Sequence, residues 1–227
     1  ECDIIFLCTP VEYNARYLRD IRPYLKENAI VTDVGSTKAD IHRAVEELQM
    51  EGCFVGGHPM AGSEKTGYEN ATDHLLENAY YILTPTPRSR PRDVETMREI
   101  ARLTGALPIV LDYEKHDRIV AAISHLPHII ASSLVNLVRD SDDPEEYMKR
   151  LAAGGFKDIT RIASSSPEMW EQICMTNTAP ICGMLKAYIA SLQQILENLK
   201  QQDSHAVYEL FDQSRIYRNS ISDMTKG

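Results

Sequence analysis

Short apolar runs and amphipathic stretches alternate along the first half of the chain. DIIFLCTP precedes VEYNARYLRDIRPYL, whose apolar positions recur at helical spacing; NAIVTDVGS precedes TKADIHRAVEEL; and CFVGGHP leads to a helix expected near NATDHLLENA. YYILTP, PRDVETMREIARLTGA and LPIVLD complete the series. Near-continuous apolar strands joined by helices are covered on both faces, so residues 1–112 are expected to form an α/β layer on a parallel, doubly wound sheet. The period changes at Tyr113. From there YEKHDRIVAAISHLPHIIASSLVNLVRD, DPEEYMKRLAAGGFKDITRIASSSPEMWEQICM and PICGMLKAYIASLQQILENLKQQDSHAVYELFDQSRIYRNSI read as helix, divided by turn signals at SDDP, AAGG, SSSP and TNTAP. Residues 113–227 are expected to be an all-α domain. The apolar stripe of ICGMLKAYIASLQQILENL is broader than one neighbour would cover, which points to a homodimer built through this region.

Composition narrows the classes. The chain has 227 residues, 43% of them hydrophobic, enough for a sizeable core. Its 24 Lys and Arg against 33 Asp and Glu leave a net charge of -9, which repels nucleic acid and anionic lipid. Neither is an expected partner. The one basic cluster, Arg88, Arg90 and Arg92, lies in the Pro-rich connector TPTPRSRPRD and reads as a solvated linker. Five cysteines without a C-x-x-C pair read as buried, reduced thiols, which suggests the cytoplasm and argues against a zinc site. No apolar run comes near the roughly 18 residues needed to cross a bilayer, and the start has no signal-peptide pattern.

The candidate chemistry gathers at three strand ends. In open α/β sheets the ligand crevice lies outside the carboxyl ends of the strands, and these ends read CTP, DVGST and GGHPMAGSEK. Ser36 begins a helix, so it is either an N-cap or a catalytic hydroxyl, with Asp40 adding charge to the first turn. His58 stands between two glycines and a proline in a stiff turn, an arrangement that aims a histidine as a general acid or base more readily than it packs one. His125 and His128 are three apart and share a helix face, with Pro127 bending that helix or marking its start; alone they favour packing or capping. Arg161 lies three residues after Asp158, the spacing of a surface ion pair. Gly154 and Gly155 suggest a close approach, and Trp170, the only tryptophan, reads as a core anchor.

Taken together, TDVGSTK, GGHPMAGSEKTG, SHLPH and AAGGFKDITRIASSSPEMW resemble the prephenate dehydrogenase family of tyrosine biosynthesis, in the Gram-positive arrangement. The resemblance implies a Rossmann-type domain followed by an α-helical dimerisation domain. It also implies oxidative decarboxylation of prephenate to 4-hydroxyphenylpyruvate, with NAD or NADP as hydride acceptor and no metal. By matching motifs, His58 takes the place of the catalytic histidine on the ring hydroxyl, and Ser36 that of a serine serving the same hydroxyl. Arg161 matches the arginine that binds a substrate carboxylate. His128 and His125 match histidines facing the substrate, while Glu64 and Asp158 match acidic residues networked with that arginine. In a Rossmann-type layer the first two strand ends put Thr9, Pro10, Asp33, Gly35 and Ser36 against the cofactor. The G-x-G-x-x-G turn and the acidic residue that reads the ribose are expected before residue 1, so NAD and NADP are not separated by these residues. Arogenate dehydrogenase is the near alternative and a non-catalytic dimerisation module the remote one. A metal hydrolase lacks H-E-x-x-H spacing, and a serine hydrolase lacks G-x-S-x-G.

Overall fold

The computed structural model describes residues 2–62 and 68–223, among which run five strands and ten α-helices. Contacts divide the chain into two compact units, Glu1–Ile181 and Cys182–Gly227.

In the first unit β1 (Ile4–Leu7) and β2 (Ile30–Asp33) pair in parallel, in register from Ile4 with Ile30 to Leu7 with Asp33, across the helix α1 (Asn14–Ile21). After α2 (Ala39–Glu47) comes β3 (Val55–Pro59), joined to β2 through a parallel bridge between Val31 and Phe54. β4 (Tyr80–Pro85), α3 (Pro91–Leu103) and β5 (Leu107–Val110) follow. β4 and β5 are parallel, but β3 and β4 are antiparallel, so the sheet is mixed and not uniformly parallel as the apolar runs suggest. The expected helix near NATDHLLENA is the reason: residues 73–78 form turns, with Asn78 at φ 59°. An antiparallel neighbour needs no crossover helix.

All four residues of β2 are buried, because successive side chains leave opposite faces and both faces are covered. Val31 packs with Leu7, Leu18, Val45 and Phe54 beneath α1 and α2, while Ile30 packs with Val55, Leu83, Met97 and Ala101 beneath α3. The glycines before His58 serve this packing. A Cβ at Gly57 would stand 2.6 Å from the Asp33 carbonyl, and one at Gly56 2.3 Å from the Thr84 hydroxyl. They let the strands close up. Gly154 and Gly155 have no such neighbour within 4 Å, which corrects the close approach read from their pairing.

Arg90 is no loose linker residue: its guanidinium binds Asp93 and donates to the Ala29 carbonyl at 3.0 Å, pinning the start of α3 to the entry of β2. The five cysteines are all free, yet Cys2, Cys8 and Cys182 are exposed and not buried as expected.

The helical part begins at α4 (Tyr113–Val120), where Asp112 caps the backbone N–H groups of Glu114 and Lys115 at 2.9 and 3.1 Å. It continues through a π turn (Ala121–His125) into α5 (Leu126–Ser141) without a break. Pro127 lacks an N–H and its ring crowds the carbonyl four residues back; the wider π turn just before it absorbs both effects. Within this 29-residue run a window of 18 residues reaches a mean hydropathy of 1.4, which meets the length and composition of a membrane-crossing helix, contrary to what the apolar runs of the sequence suggest. A single such helix is weak evidence for a membrane, and buried, hydrogen-bonded His116, Asp117 and His125 all lie along this one. α6 (Tyr147–Leu151), α7 (Gly154–Thr160), a 3-10 turn (Arg161–Ser164) and α8 (Pro167–Thr176) follow. α9 (Thr178–Lys200) carries the chain into the second unit and α10 (Ser204–Asp223) completes it. In that unit Leu192, Leu196, Leu199, Phe211 and Tyr217 are exposed.

Lys38 and Asp33 form an ion pair with both side chains wholly out of solvent. Asp33 also accepts from the Gly35 N–H at 2.9 Å and the Gly57 N–H at 3.1 Å. Removing one partner of such a pair strands a buried charge, so Asp33→Asn is expected to cost about 3 to 5 kcal/mol in urea unfolding. Adding Lys38→Met to that variant should recover most of the loss, whereas a simple sum of two losses would show that the ion pair is not the coupling.

Candidate active site

A cavity of about 340 Å³ opens in the first unit where these elements meet. Ser36 enters it from the end of β2 and His58 from the end of β3, with residues 59–62 beyond. Ser124, His125 and His128 come from the π turn and the first turn of α5; Arg161, Ile162 and Ser165 from the 3-10 turn and just beyond it; and Met169, Trp170 and Ile173 from α8. A second cavity of about 380 Å³ is lined by Thr9, Pro10 and Val11 after β1, by Val34, Gly35 and Ser36 after β2, and by Ser166, Glu168, Met169, Gln172 and Ile173. The two share Ser36, Met169 and Ile173.

Five residues singled out for chemistry thus line one cavity: Ser36, His58, His125, His128 and Arg161. Thr9, Pro10, Gly35 and Ser36 line the other. Asp33 lines neither. It is wholly buried, with its oxygens bound to Lys38, Gly35 and Gly57, so the expected cofactor contact becomes a structural clamp. Asp158 is exposed on α7, lines neither cavity and makes none of the ion pairs found among the described residues. Glu64 lies outside the described residues. Ser36 is not an N-cap either: α2 starts at Ala39, and its first N–H groups are capped by Asp117, at 2.8 Å from both Lys38 N and Ala39 N.

His58 is not a lone histidine. Its Nδ1 lies 2.8 Å from Nε2 of His116, whose Nδ1 lies 2.8 Å from Oδ1 of Asp117. Burial above all, then the positive charge of Lys38 and the neighbouring His116 and His125, push His58 well below the ordinary imidazole range. It is therefore neutral at physiological pH, as a proton acceptor must be. His125 is 1% exposed, with Nδ1 3.0 Å from Nδ2 of Asn177, and burial brings it down to about 4. His128 donates from Nδ1 to the Ser124 carbonyl at 2.9 Å and stacks on Trp170, centroids 3.7 Å apart. Burial lowers it too, opposed by that carbonyl and helped by the Arg161 charge. Trp170 is therefore a wall of the cavity as well as an anchor, and its buried Nε1 has no hydrogen-bond partner among the described residues.

Sequence reasoning passed over His116, Asp117, Lys38 and Asn177. One signal was available. His116 stands four residues before buried Val120, so it falls on the inward stripe of α4, where an imidazole beside an acid needs an explanation. Among the described residues no group of three His, Cys, Asp or Glu side chains is placed to hold a metal ion.

Comparison with known proteins is consistent along the chain. Residues 1–110 match the family described as prephenate dehydrogenase, nucleotide-binding domain, and residues 112–213 that described as prephenate dehydrogenase, dimerization domain. A prephenate dehydrogenase of Bacillus subtilis (strain 168) is 38% identical over 229 residues, covering 100% of this chain; the chain spans only 62% of that relative. The crystal structure of prephenate dehydrogenase from A. aeolicus in complex with hydroxyphenyl propionate and NAD+ superposes with a TM-score of 0.91 at 32% identity, over 96% of this chain and 76% of that one. The Synechocystis arogenate dehydrogenase structure does so at 0.87 and 31%, over 97% and 79%.

The buried imidazoles make the fold sensitive to acid. His42, bonded to the Thr84 hydroxyl at 3.0 Å and stacked on Tyr113, is brought by burial to about 4, as is His125. The unfolded chain protonates them near 6.5 and the folded one near 4, so the unfolded state binds more protons throughout this window and stability falls as pH drops through it. Each group steepens the slope by at most about 1.4 kcal/mol per pH unit. Urea unfolding between pH 7 and 5 should show this slope, and His42→Leu should flatten it; an unchanged slope would mean His42 titrates normally in the fold.

Proposed function

The chain belongs to the prephenate dehydrogenase family, and on that footing we propose that it oxidatively decarboxylates prephenate to 4-hydroxyphenylpyruvate with NAD as hydride acceptor. The observation that carries this is the convergence of His58, Ser36 and Arg161 on one cavity that shares a wall with another at the ends of β1 and β2.

The second cavity suits the nicotinamide end of a dinucleotide. Val11, Val34, Met169 and Ile173 offer apolar faces to a flat ring, with Thr9 and Ser36 as polar edges. When bound, the dinucleotide supplies the acceptor for the hydride that leaves the carbinol carbon. The rest is done by side chains. His58 takes the hydroxyl proton as the C–O bond gains carbonyl character, and Ser36 shares that hydroxyl. Arg161 holds a substrate carboxylate with the paired donors a planar guanidinium provides, a local cation on a protein of net charge -9. The other carboxylate leaves as CO2, and its bond pair restores the aromatic ring. His128 and Trp170 form a flat wall against which the substrate ring lies. Arogenate is the second substrate to weigh, because the Synechocystis enzyme of that name shares the fold.

A homodimer belongs to the same proposal, supported by the dimerization-domain match and the exposed apolar side chains of α9 and α10. So does a cytoplasmic location, which suits five unpaired thiols. We keep the domain boundary at 112/113, where Asp112 caps α4.

Kinetics with prephenate and arogenate, each with NAD and NADP, test the activity. His58→Asn should lower kcat by about 10² to 10⁴ while both ligands still bind, and the acid limb of the wild-type profile should lie below pH 6.5, in line with the lowered His58. Near-normal kcat in that variant would remove His58 as the base. Arg161→Gln should cost about 2 to 4 kcal/mol in kcat/KM, mostly through KM, with dinucleotide affinity unchanged. A lowered Tm with unchanged KM would instead make Arg161 a structural residue.

A further inference from the structure

The base of this site is the outer member of a buried chain of three side chains. His58 stands at the end of β3 and His116 in the first half of α4, their rings edge to face at 72° with centroids 5.0 Å apart. His116 is 0% exposed and Asp117 2%. We propose that His116 and Asp117 are positioning residues that set the tautomer of His58, keeping its proton on Nδ1 and leaving the Nε2 lone pair for the substrate hydroxyl. This rests on the reading of His58 as the base of a dehydrogenase.

Every neighbour of the Asp117 carboxylate approaches as a donor: Oδ1 accepts from Lys38 N, Oδ2 from Ala39 N, both at 2.8 Å, and the Lys38 ammonium adds its field. Such a carboxylate is ionised and can only accept. Its contact with His116 at 2.8 Å therefore places a proton on His116 Nδ1. With that single proton and no second one, His116 offers Nε2 as an acceptor, and His58 Nδ1, 2.8 Å away, then donates. The nitrogen of His58 that remains, Nε2, then carries a lone pair and has no partner among the described residues. The opposite arrangement would place an N–H there, unable to accept a proton.

The same chain answers the charge that forms in the reaction. When the hydroxyl O–H bond breaks and the Nε2–H bond forms, His58 becomes an imidazolium in a buried place beside Lys38, His116 and His125, where any positive charge on these neighbours is unfavourable to it. Its Nδ1–H bond to His116 becomes charge-assisted, and the Asp117 carboxylate polarises His116 from behind. No proton needs to pass along the chain; the acquired proton stays on Nε2. Asn177 braces this arrangement, donating through Nδ2 to the Asp117 carbonyl at 2.9 Å while touching His125.

The test reads the tautomer directly. With ¹⁵N-labelled histidine in the full chain, imidazole spectra of its seven histidines, His58 being assigned by its loss in His58→Asn, should show His58 protonated at Nδ1 and bare at Nε2. His116→Leu should move that proton to Nε2 and lower kcat about 10²-fold, with KM for prephenate within about twofold. His116→Gln, whose carbonyl can accept from Nδ1, should restore the tautomer and most of kcat. If His116→Leu does not fold, the wild-type and Gln spectra still decide. His58 protonated at Nε2 in the wild type, or Leu and Gln variants with equal losses in kcat and Tm and an unmoved tautomer, would overturn the proposal. A chain with the Nδ1 tautomer that oxidises neither prephenate nor arogenate would uphold the positioning and remove the dehydrogenase reading; an active chain with the Nε2 tautomer would do the reverse.

Discussion

A lysine with no access to water must be answered by a carboxylate, and most of this site follows from how Lys38 is answered. Burial lowers its ammonium below the ordinary lysine range, and Asp33 in contact and Asp117 nearby oppose that shift. Asp33 does more than balance that charge. Its oxygens also take the N–H groups of Gly35 and Gly57, so one side chain ties the end of β2 to the loop after it and to β3. The backbone N–H of the same lysine is held by Asp117, which brings α4 against the start of α2. Such a pair adds little net stability over an apolar substitute, since desolvation offsets most of the attraction. Its value here is geometric: strands β2 and β3 and helices α2 and α4 are held in one arrangement, with the residues that face the cavity just beyond each tie.

The cation that organises the fold also acts on the imidazole beside it. The Lys38 charge adds to burial in keeping His58 unprotonated, so structural and chemical demands coincide in one residue. His125 and His128 are held neutral mainly by burial, each with one ring nitrogen bound to a neighbour. Among the described residues that line the cavity, Arg161 is the one cation. A site with neutral imidazoles around a guanidinium fits the proposed dianionic ring alcohol: the charge would attract its carboxylates and leave the proposed proton acceptor unprotonated.

The sequence by itself determined the layering and much of the site. Alternating apolar runs and amphipathic stretches mark β1, β2, β4 and β5 and the helices between them, because burial on both faces leaves a legible pattern. The change of period at Tyr113 marks the helical part for the same reason. His58 was legible as chemistry in its strand-end turn and Ser36 as one of two readings, whereas His125, His128 and Arg161, which alone read as packing, capping and an ion pair, entered the site only through the family resemblance. Tertiary structure decided what depends on contacts between distant segments. Whether β4 runs antiparallel to β3 turns on how residues 73–78 fold back, and local propensity there favours a helix that the returning strand does not need. The glycines before His58 mark a close approach, but only the fold shows what approaches: the Asp33 carbonyl, 24 residues from Gly57, which leaves no room for a side chain. Asp33 looked like a cofactor contact until its oxygens were found bound to Lys38, Gly35 and Gly57. His116 had only its place on the inward face of α4 to mark it, since its partner His58 is 58 residues away. Periodicity records which face is buried; it does not record what two buried polar groups from different elements will meet.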